Sequence, residues 1–290
     1  MRTRLLASLL ATLSACGTAA TTTPDDAGTG PDLAWVSKDP LILARPYEPY
    51  LQVPVGYDPA KPTPLLIHLH GYRSTPFLDD GWFKWTTNVD AAGYLLVEPL
   101  GSKDANGFTH WNSNAEPNDV DDVAYIDAII ADMEARFSVD KKRVYVVGHS
   151  NGSGMAYLYA CRRAATVAAV IPLAGTYSTD PMRCAPTASV SVLHVNGDKD
   201  PNWPGTPPVR DSPVFWAAHD GCGATSDTTT PPMDLDTALA GAETTVEKWT
   251  GCKDGTDVEL WVVRGADHHP TFGTAWAPAA WTWLSAHAKP

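Results

Sequence analysis

The sequence predicts an α/β protein with a mostly parallel central sheet and helices on both faces. Three observations carry this. Apolar runs of strand length recur at 65–70, 94–99, 143–147, 167–173, 189–195 and 258–263. They are near-continuous rather than alternating, as strands buried on both faces are. Helical patterns fall between several of them, and strands that alternate with helices pair in parallel. The 290 residues, 44% hydrophobic and 19% charged, suit one large domain with a full core.

In chain order, residues 1–15 read as an export signal. Met1-Arg2-Thr3-Arg4 is a short positive region, and Leu5 to Ala15 is apolar but too short to span a bilayer. Leu13-Ser14-Ala15-Cys16 has the form of a bacterial lipoprotein processing site, which leaves Cys16 first in the mature chain and carrying lipid. An ordinary signal peptide with a chance cysteine is the alternative. Residues 16–40 read as a flexible tether on their Thr, Ala, Gly, Pro and Asp content, and 41–290 as the single domain. A first strand at 50–54 is followed by turn-rich sequence and then the buried run 65–70. A polar loop at 101–118 carries His110-Trp111-Asn112. Val123, Ile126, Ile130, Met133 and Phe137 then form one apolar stripe of a helix, with Asp119, Asp121 and Asp122 at its N-terminus, where negative charge is favoured. A helix at 155–163 follows the strand at 143–147. From 202 to 247 the pattern dissolves into Pro, Gly, Thr and Asp, an irregular excursion over a site or a mobile loop. A last strand at 258–263 and a closing helix at 277–286 complete the chain.

The chemistry concentrates at Gly148-His149-Ser150-Asn151-Gly152, between a strand and a helix. That context separates a nucleophile turn from a chance G-x-S-x-G. The glycines relieve crowding where the backbone bends sharply, and the turn lifts the Ser150 hydroxyl out of the sheet. The Asn151 N–H then lies at a helix N-terminus, suited to bind an oxyanion. A serine hydroxyl needs a base, and the base needs an orienting acid. Functional groups in an open parallel sheet gather beyond the C-terminal strand ends. After 189–195 come Asp198 and Asp200; Asp200 is the candidate acid and Asp198 the fallback. After 258–263 come His268 and His269; His268 is the candidate base and His269 the alternative. The order Ser, Asp, His is the one this fold uses. Tyr72, after His70-Gly71, is the candidate second oxyanion donor. His68 and His70 form an H-x-H pair without nearby carboxylates, so it is not read as a metal site, and the Asn151-Gly152-Ser153 sequon is read as accidental because a glycan would block the turn.

These residues resemble a family. Leu69-His70-Gly71, Asp119-Val120-Asp121-Asp122-Val123, Val139-Asp140, Arg143-Val144-Tyr145-Val146 and Gly148-His149-Ser150-Asn151-Gly152 are similar to the polyhydroxybutyrate depolymerase and feruloyl esterase family of secreted α/β hydrolases. The loops 197–201 and 265–269 resemble its acid and histidine loops, and Trp249-Thr250-Gly251-Cys252 before Val258-Glu259-Leu260 its approach to the last strand. The resemblance implies the α/β-hydrolase fold, Ser150 as nucleophile, Asp200 as acid and His268 as base. Two departures stand out: Ser153 precedes Gly154 where the family often has a second glycine, and His269-Pro270-Thr271 replaces a Trp-Pro-Gly, which leaves the substrate-side wall open.

The expected activity is hydrolysis of carboxylic esters through an acyl-enzyme, with polyhydroxyalkanoate oligomers and feruloyl or acetyl esters of polysaccharide as substrate classes. No cofactor and no metal are expected. A serine peptidase of the same fold and a non-catalytic envelope lipoprotein are the alternatives. Trp111 and Trp203 are candidate substrate-lining residues, with loop packing as the other role for each. A net charge of −12 argues against nucleic acid and anionic membrane as partners, leaving the membrane only through lipid on Cys16. Export into an oxidising compartment implies disulfides among Cys161, Cys184, Cys222 and Cys252, and the pairings nearest in sequence are Cys161–Cys184 and Cys222–Cys252.

Overall fold

The computed structural model of the chain describes residues 37–45, 48–203 and 208–290, which belong to one compact unit. The expected signal segment, Cys16 and the tether up to residue 36 lie outside the described residues. The tether reading overran at its end. Ser37 is buried, Asp39 caps the amide of Leu41, and the short helix α1 (Pro40–Leu43) begins there.

Eight strands form the main sheet in the order β1-β3-β2-β6-β7-β8-β10-β9. They are β1 (Tyr50–Gln52), β2 (Thr63–Leu69), β3 (Leu95–Glu98), β6 (Val139–His149), β7 (Ala169–Leu173), β8 (Ser191–Gly197), β9 (Thr244–Trp249) and β10 (Val258–Val263). Among the described residues of this sheet, only β1 against β3 and β9 against β10 pair antiparallel, at the two edges. A small hairpin, β4 (Ser102–Lys103) with β5 (Thr109–His110), stands apart. The inner strands are buried residue after residue, which is why they read as unbroken apolar runs.

The sheet is packed on both faces. Leu65, Ile67 and Leu69 of β2 join a core with the helices α4 (Asp122–Arg136) and α5 (Asn151–Arg162). Leu66, one residue out of phase, joins the opposite core with Phe83 of α2 (Pro76–Phe83) and with Trp276 and Trp283 of α7 (Trp276–Ser285). The stripe on α4 packs as its spacing predicts: Ile126, Ile130 and Met133 are buried. The short helix α3 (Val89–Ala92) leads into β3.

The stretch 202–247 is not a single irregular excursion. It holds the helix α6 (Asp211–His219), and β9 starts at Thr244. Pro213 masked the helix in sequence, yet it sits in the first turn, where its missing amide is not needed. Isolated bridges pair Asp227 with Lys248 and Met233 with Thr244. Helix α5 begins at Asn151 rather than Met155; Gly152 and Gly154, poor helix formers, hid its first turn. Both expected disulfides are formed, Cys161–Cys184 and Cys222–Cys252, with Cα atoms 5.1 and 3.8 Å apart.

Candidate active site

Strand β6 ends at His149 and α5 starts at Asn151, so Ser150 alone makes the turn. Its φ of 54° and ψ of −112° lie where side-chain-bearing residues are rare, a strain that surrounding contacts must hold. The Ser150 amide donates to the Leu173 carbonyl at 2.8 Å. A Cβ on Gly148 would lie 2.2 Å from the Gly152 oxygen, and one on Gly152 would lie 2.1 Å from the Leu69 oxygen. Only glycine fits at either position, which explains the motif. Ser153, where the resembling family has a glycine, donates its hydroxyl to the Gly175 carbonyl at 2.8 Å.

Three residues far apart in sequence meet at this turn. His268 Nε2 lies 2.9 Å from Ser150 Oγ, and its Nδ1 lies 2.7 Å from Asp200 Oδ2. Asp200 is buried at the mouth of β8. Its Oδ1 accepts the Asn202 amide at 2.8 Å, and its Oδ2 also accepts Asn196 Nδ2 at 3.4 Å. Burial pushes this carboxyl up, but the hydrogen bonds from His268, the Asn202 amide and Asn196 together hold it below its ordinary value. The alternatives do other things. Asp198 accepts the Gly265 amide at 2.7 Å and so holds the start of the histidine loop. His269 faces Trp82 instead of a carboxylate.

Gly71 lies against the same turn: a Cβ there would sit 3.5 Å from Ser150 Cβ. The Gly71 carbonyl accepts the Ser74 amide in a turn that leaves the Tyr72 amide uncommitted among the described residues. Arg73 completes the turn at φ 64°. Asn151 is the first residue of α5, so its amide has no carbonyl one turn earlier to bond. The amides of Tyr72 and Asn151 therefore have no backbone acceptor among the described residues. The Asn151 side chain is occupied: Oδ1 accepts the Trp111 amide at 2.6 Å, and Nδ2 donates to the Trp111 carbonyl and to Ser113 Oγ.

Asp79 and His149, neither singled out by the sequence, each hold one half of the site. Asp79 is fully buried; it accepts the Gly71 amide at 2.8 Å and the Ser74 hydroxyl. His149 Nε2 lies 3.0 Å from the His268 carbonyl, and its Nδ1 is 3.7 Å from Asp79 Oδ2. Burial pushes the His149 imidazole down to about 4. It is therefore neutral at neutral pH and donates Nε2–H to the carbonyl. Asp79 in the first turn of a helix opened by Thr75-Pro76 was a readable capping pattern, but nothing in the sequence gave its reach to Gly71.

Trp111 does not line the site. It is 1% exposed, stacks on Tyr125, and donates Nε1–H to the His70 carbonyl at 2.8 Å. The reason is the Asn151 clamp, which draws the loop under the turn. Trp203 is half-buried against the core, its amide bonded to the Asp200 carbonyl at 2.8 Å. His68 and His70 are structural: His68 bonds Glu98 at 2.6 Å, and His70 takes the Gly101 amide at 2.9 Å. Among the described residues, His149, His268 and His269 are the group that could hold a metal, with a nitrogen of each within 4.8 Å of the others. Both His268 nitrogens are already engaged by Ser150 and Asp200. No helix among the described residues is long and apolar enough to cross a membrane.

Comparison with known proteins agrees with this architecture. Residues 101–210, which include Ser150 and Asp200, match the dienelactone hydrolase family. The chain is 25% identical over 238 residues to feruloyl esterase B of Piromyces equi, covering 75% of this chain but 42% of that protein. It is 29% identical over 216 residues to feruloyl esterase C of Emericella nidulans, covering 70% of each. The fold superposes on an acetyl xylan esterase from Aspergillus awamori with a TM-score of 0.61 at 14% identity, over 82% of this chain and 93% of that one.

Proposed function

We propose that this chain, which belongs to the feruloyl esterase-like family of α/β hydrolases, is an exported serine ester hydrolase. The observation that carries the reading is the relay centred on His268, with Ser150 Oγ 2.9 Å from one nitrogen and Asp200 Oδ2 2.7 Å from the other. Ser150 attacks the ester carbonyl while His268 Nε2 takes its proton. The carbonyl becomes a tetrahedral oxyanion, received by the amides of Tyr72 and Asn151. His268 passes the proton to the leaving alcohol as the C–O bond breaks, and Asp200 stabilises the imidazolium in between. Water, deprotonated by the same imidazole, then releases the acid and restores Ser150. The chemistry needs only these side chains and amides.

The substrate classes are hydroxyalkanoate oligomers and feruloyl or acetyl esters of polysaccharide; the names of the relatives favour the last two. Export is supported by the apolar run ending at Ala15-Cys16 and by the two disulfides, with lipid on Cys16 as the anchor. A fluorophosphonate probe tests the core of the proposal. The wild type should label and Ser150→Ala should not; a folded wild type that stays unlabelled removes the serine-hydrolase reading. Turnover of peptide anilides rather than esters would move the activity to a peptidase.

A further inference from the structure

We infer that Ser153 is a positioning residue for the oxyanion: through the end of β7 it fixes the peptide unit whose N–H belongs to Asn151. The inference rests on the serine-esterase reading and names what aims one of its two donors.

Ser153 lies in the first turn of α5 and is fully buried. Its hydroxyl donates to the Gly175 carbonyl at 2.8 Å, which joins the helix to the chain leaving β7. That chain grips Ser150 on both sides. The Leu173 carbonyl accepts the Ser150 amide at 2.8 Å. Gly175 presses on the Ser150 carbonyl so closely that a Cβ on Gly175 would lie 2.3 Å from its oxygen. Between these two, Ala174 takes a φ of 54°, a region that residues with a Cβ seldom occupy. The strain at Ser150 thus meets a second strained residue, and contacts must hold both. The Ser150 carbonyl and the Asn151 amide share one planar peptide unit, so whatever fixes the oxygen also fixes the direction of the N–H. The Gly154 amide holds that oxygen from within the helix at 3.1 Å, and Gly175, tied down by Ser153, closes on it from outside. A glycine at 153, as the resembling family often has, offers no hydroxyl for this.

The segment 175–184 is fastened to α5 a second time, by Cys161–Cys184 in the last turn of the helix. That bridge lies about two turns along the helix from Ser153, so the two fasteners divide the work. Ser153→Ala and Ser153→Gly should each lower kcat about tenfold at steady KM, counted per site by burst titration with a chromogenic ester. An alkyl trifluoromethyl ketone, to whose carbonyl carbon Ser150 Oγ adds while His268 Nε2 takes the proton, should bind both variants about tenfold more weakly, because that adduct carries the oxyanion. Cys161→Ser combined with Cys184→Ser should lower the urea midpoint and leave kcat per site within about twofold. Wild-type kcat and ketone affinity in the two Ser153 variants would overturn the inference. So would a rise in KM alone, loss of the fold in both variants, or an equal fall of kcat in the cysteine variant. A wild type inert to fluorophosphonate would remove the esterase reading and this inference with it; a labelled wild type with unaffected Ser153 variants would remove the inference alone.

Discussion

Two histidine–carboxylate pairs of nearly equal length sit in different parts of this molecule. At the rim, His268 Nδ1 and Asp200 are 2.7 Å apart; in the interior, His68 Nδ1 and Glu98 are 2.6 Å apart. The rim imidazole is 22% exposed, and its second nitrogen meets a hydroxyl. The interior imidazole is 1% exposed, its second nitrogen has no partner among the described residues, and it faces the rings of Phe83 and Trp85. The carboxyls respond in opposite directions. Burial lifts Glu98 above its ordinary value although the His68 hydrogen bond opposes it. Burial works the same way on Asp200, yet the bonds from His268, the Asn202 amide and Asn196 prevail and the carboxyl is held down. A histidine–carboxylate contact alone is therefore no catalyst. Access, a hydroxyl at the far nitrogen, and enough donors to keep the acid ionised separate the pair proposed to work from the structural one.

The largest expected effect comes from breaking each pair in turn. Asp200→Asn should keep the fold and lower kcat by about 10⁴-fold, because the imidazole loses the acceptor that sets its tautomer. Glu98→Ala should leave kcat per active site almost unchanged and lower unfolding free energy by about 3 kcal/mol, as loss of one partner from a buried pair does. Burst titration with a chromogenic ester counts the sites, and urea midpoints give the stability. Should Glu98→Ala instead lower kcat at unchanged stability, the interior pair would belong to the chemistry and the comparison would collapse. A smaller effect is expected at Asp79, which holds the Gly71 amide and the Ser74 hydroxyl without touching Ser150 or His268. Asp79→Ala should lower kcat per titrated site by about tenfold with KM steady, since a loosened turn weakens only the oxyanion contact. A fall in the number of titratable sites with kcat intact would reduce Asp79 to a folding role.

Much of the rim was readable, and the reason is topological. Parallel strands bring residues distant in sequence to one edge, so Asp200 and His268 could be sought just past two apolar runs. The residues favour Asp200 over Asp198, and His268 over His269, and keep the second of each open, because both members of each pair follow the same strand and differ only in which way the loop turns them. The Gly265 amide takes one, and Trp82 the other. Trp111, read as either substrate-lining or loop-packing, takes the packing role for a similar reason: its amide is held by Asn151, forty residues away. Elements with weak local signals were lost as well. Helix α6 carries a proline, and β9 is an edge strand of mixed burial. Their identity comes from the neighbours they pack on.

The last expected effect tests the interior by itself. Burial pushes the imidazoles of His70, His149 and His194 down to about 4, from an ordinary 6.5. The unfolded chain takes up protons at these groups below pH 6.5, while the folded chain resists until about pH 4. The stability their neutral forms contribute is therefore present above pH 6.5 and is lost as pH falls through that window, at a slope of up to about 1.4 kcal/mol per pH unit for each group. Asp200, held below its ordinary 3.8, adds its own loss only at lower pH. His194 is the cleanest probe, since it lies in the core against Tyr157, with the hydroxyl 2.7 Å from Nδ1, and touches neither Ser150 nor His268. Urea midpoints between pH 7 and 4.5 should fall steeply in the wild type, and His194→Gln should flatten that fall by about one histidine's share, whatever it does to absolute stability. An unchanged slope would mean that the folded protein protonates His194 as readily as the unfolded chain does, and the distinction between an acid-sensing interior and a catalytic rim would have to be redrawn around His70 and His149 alone.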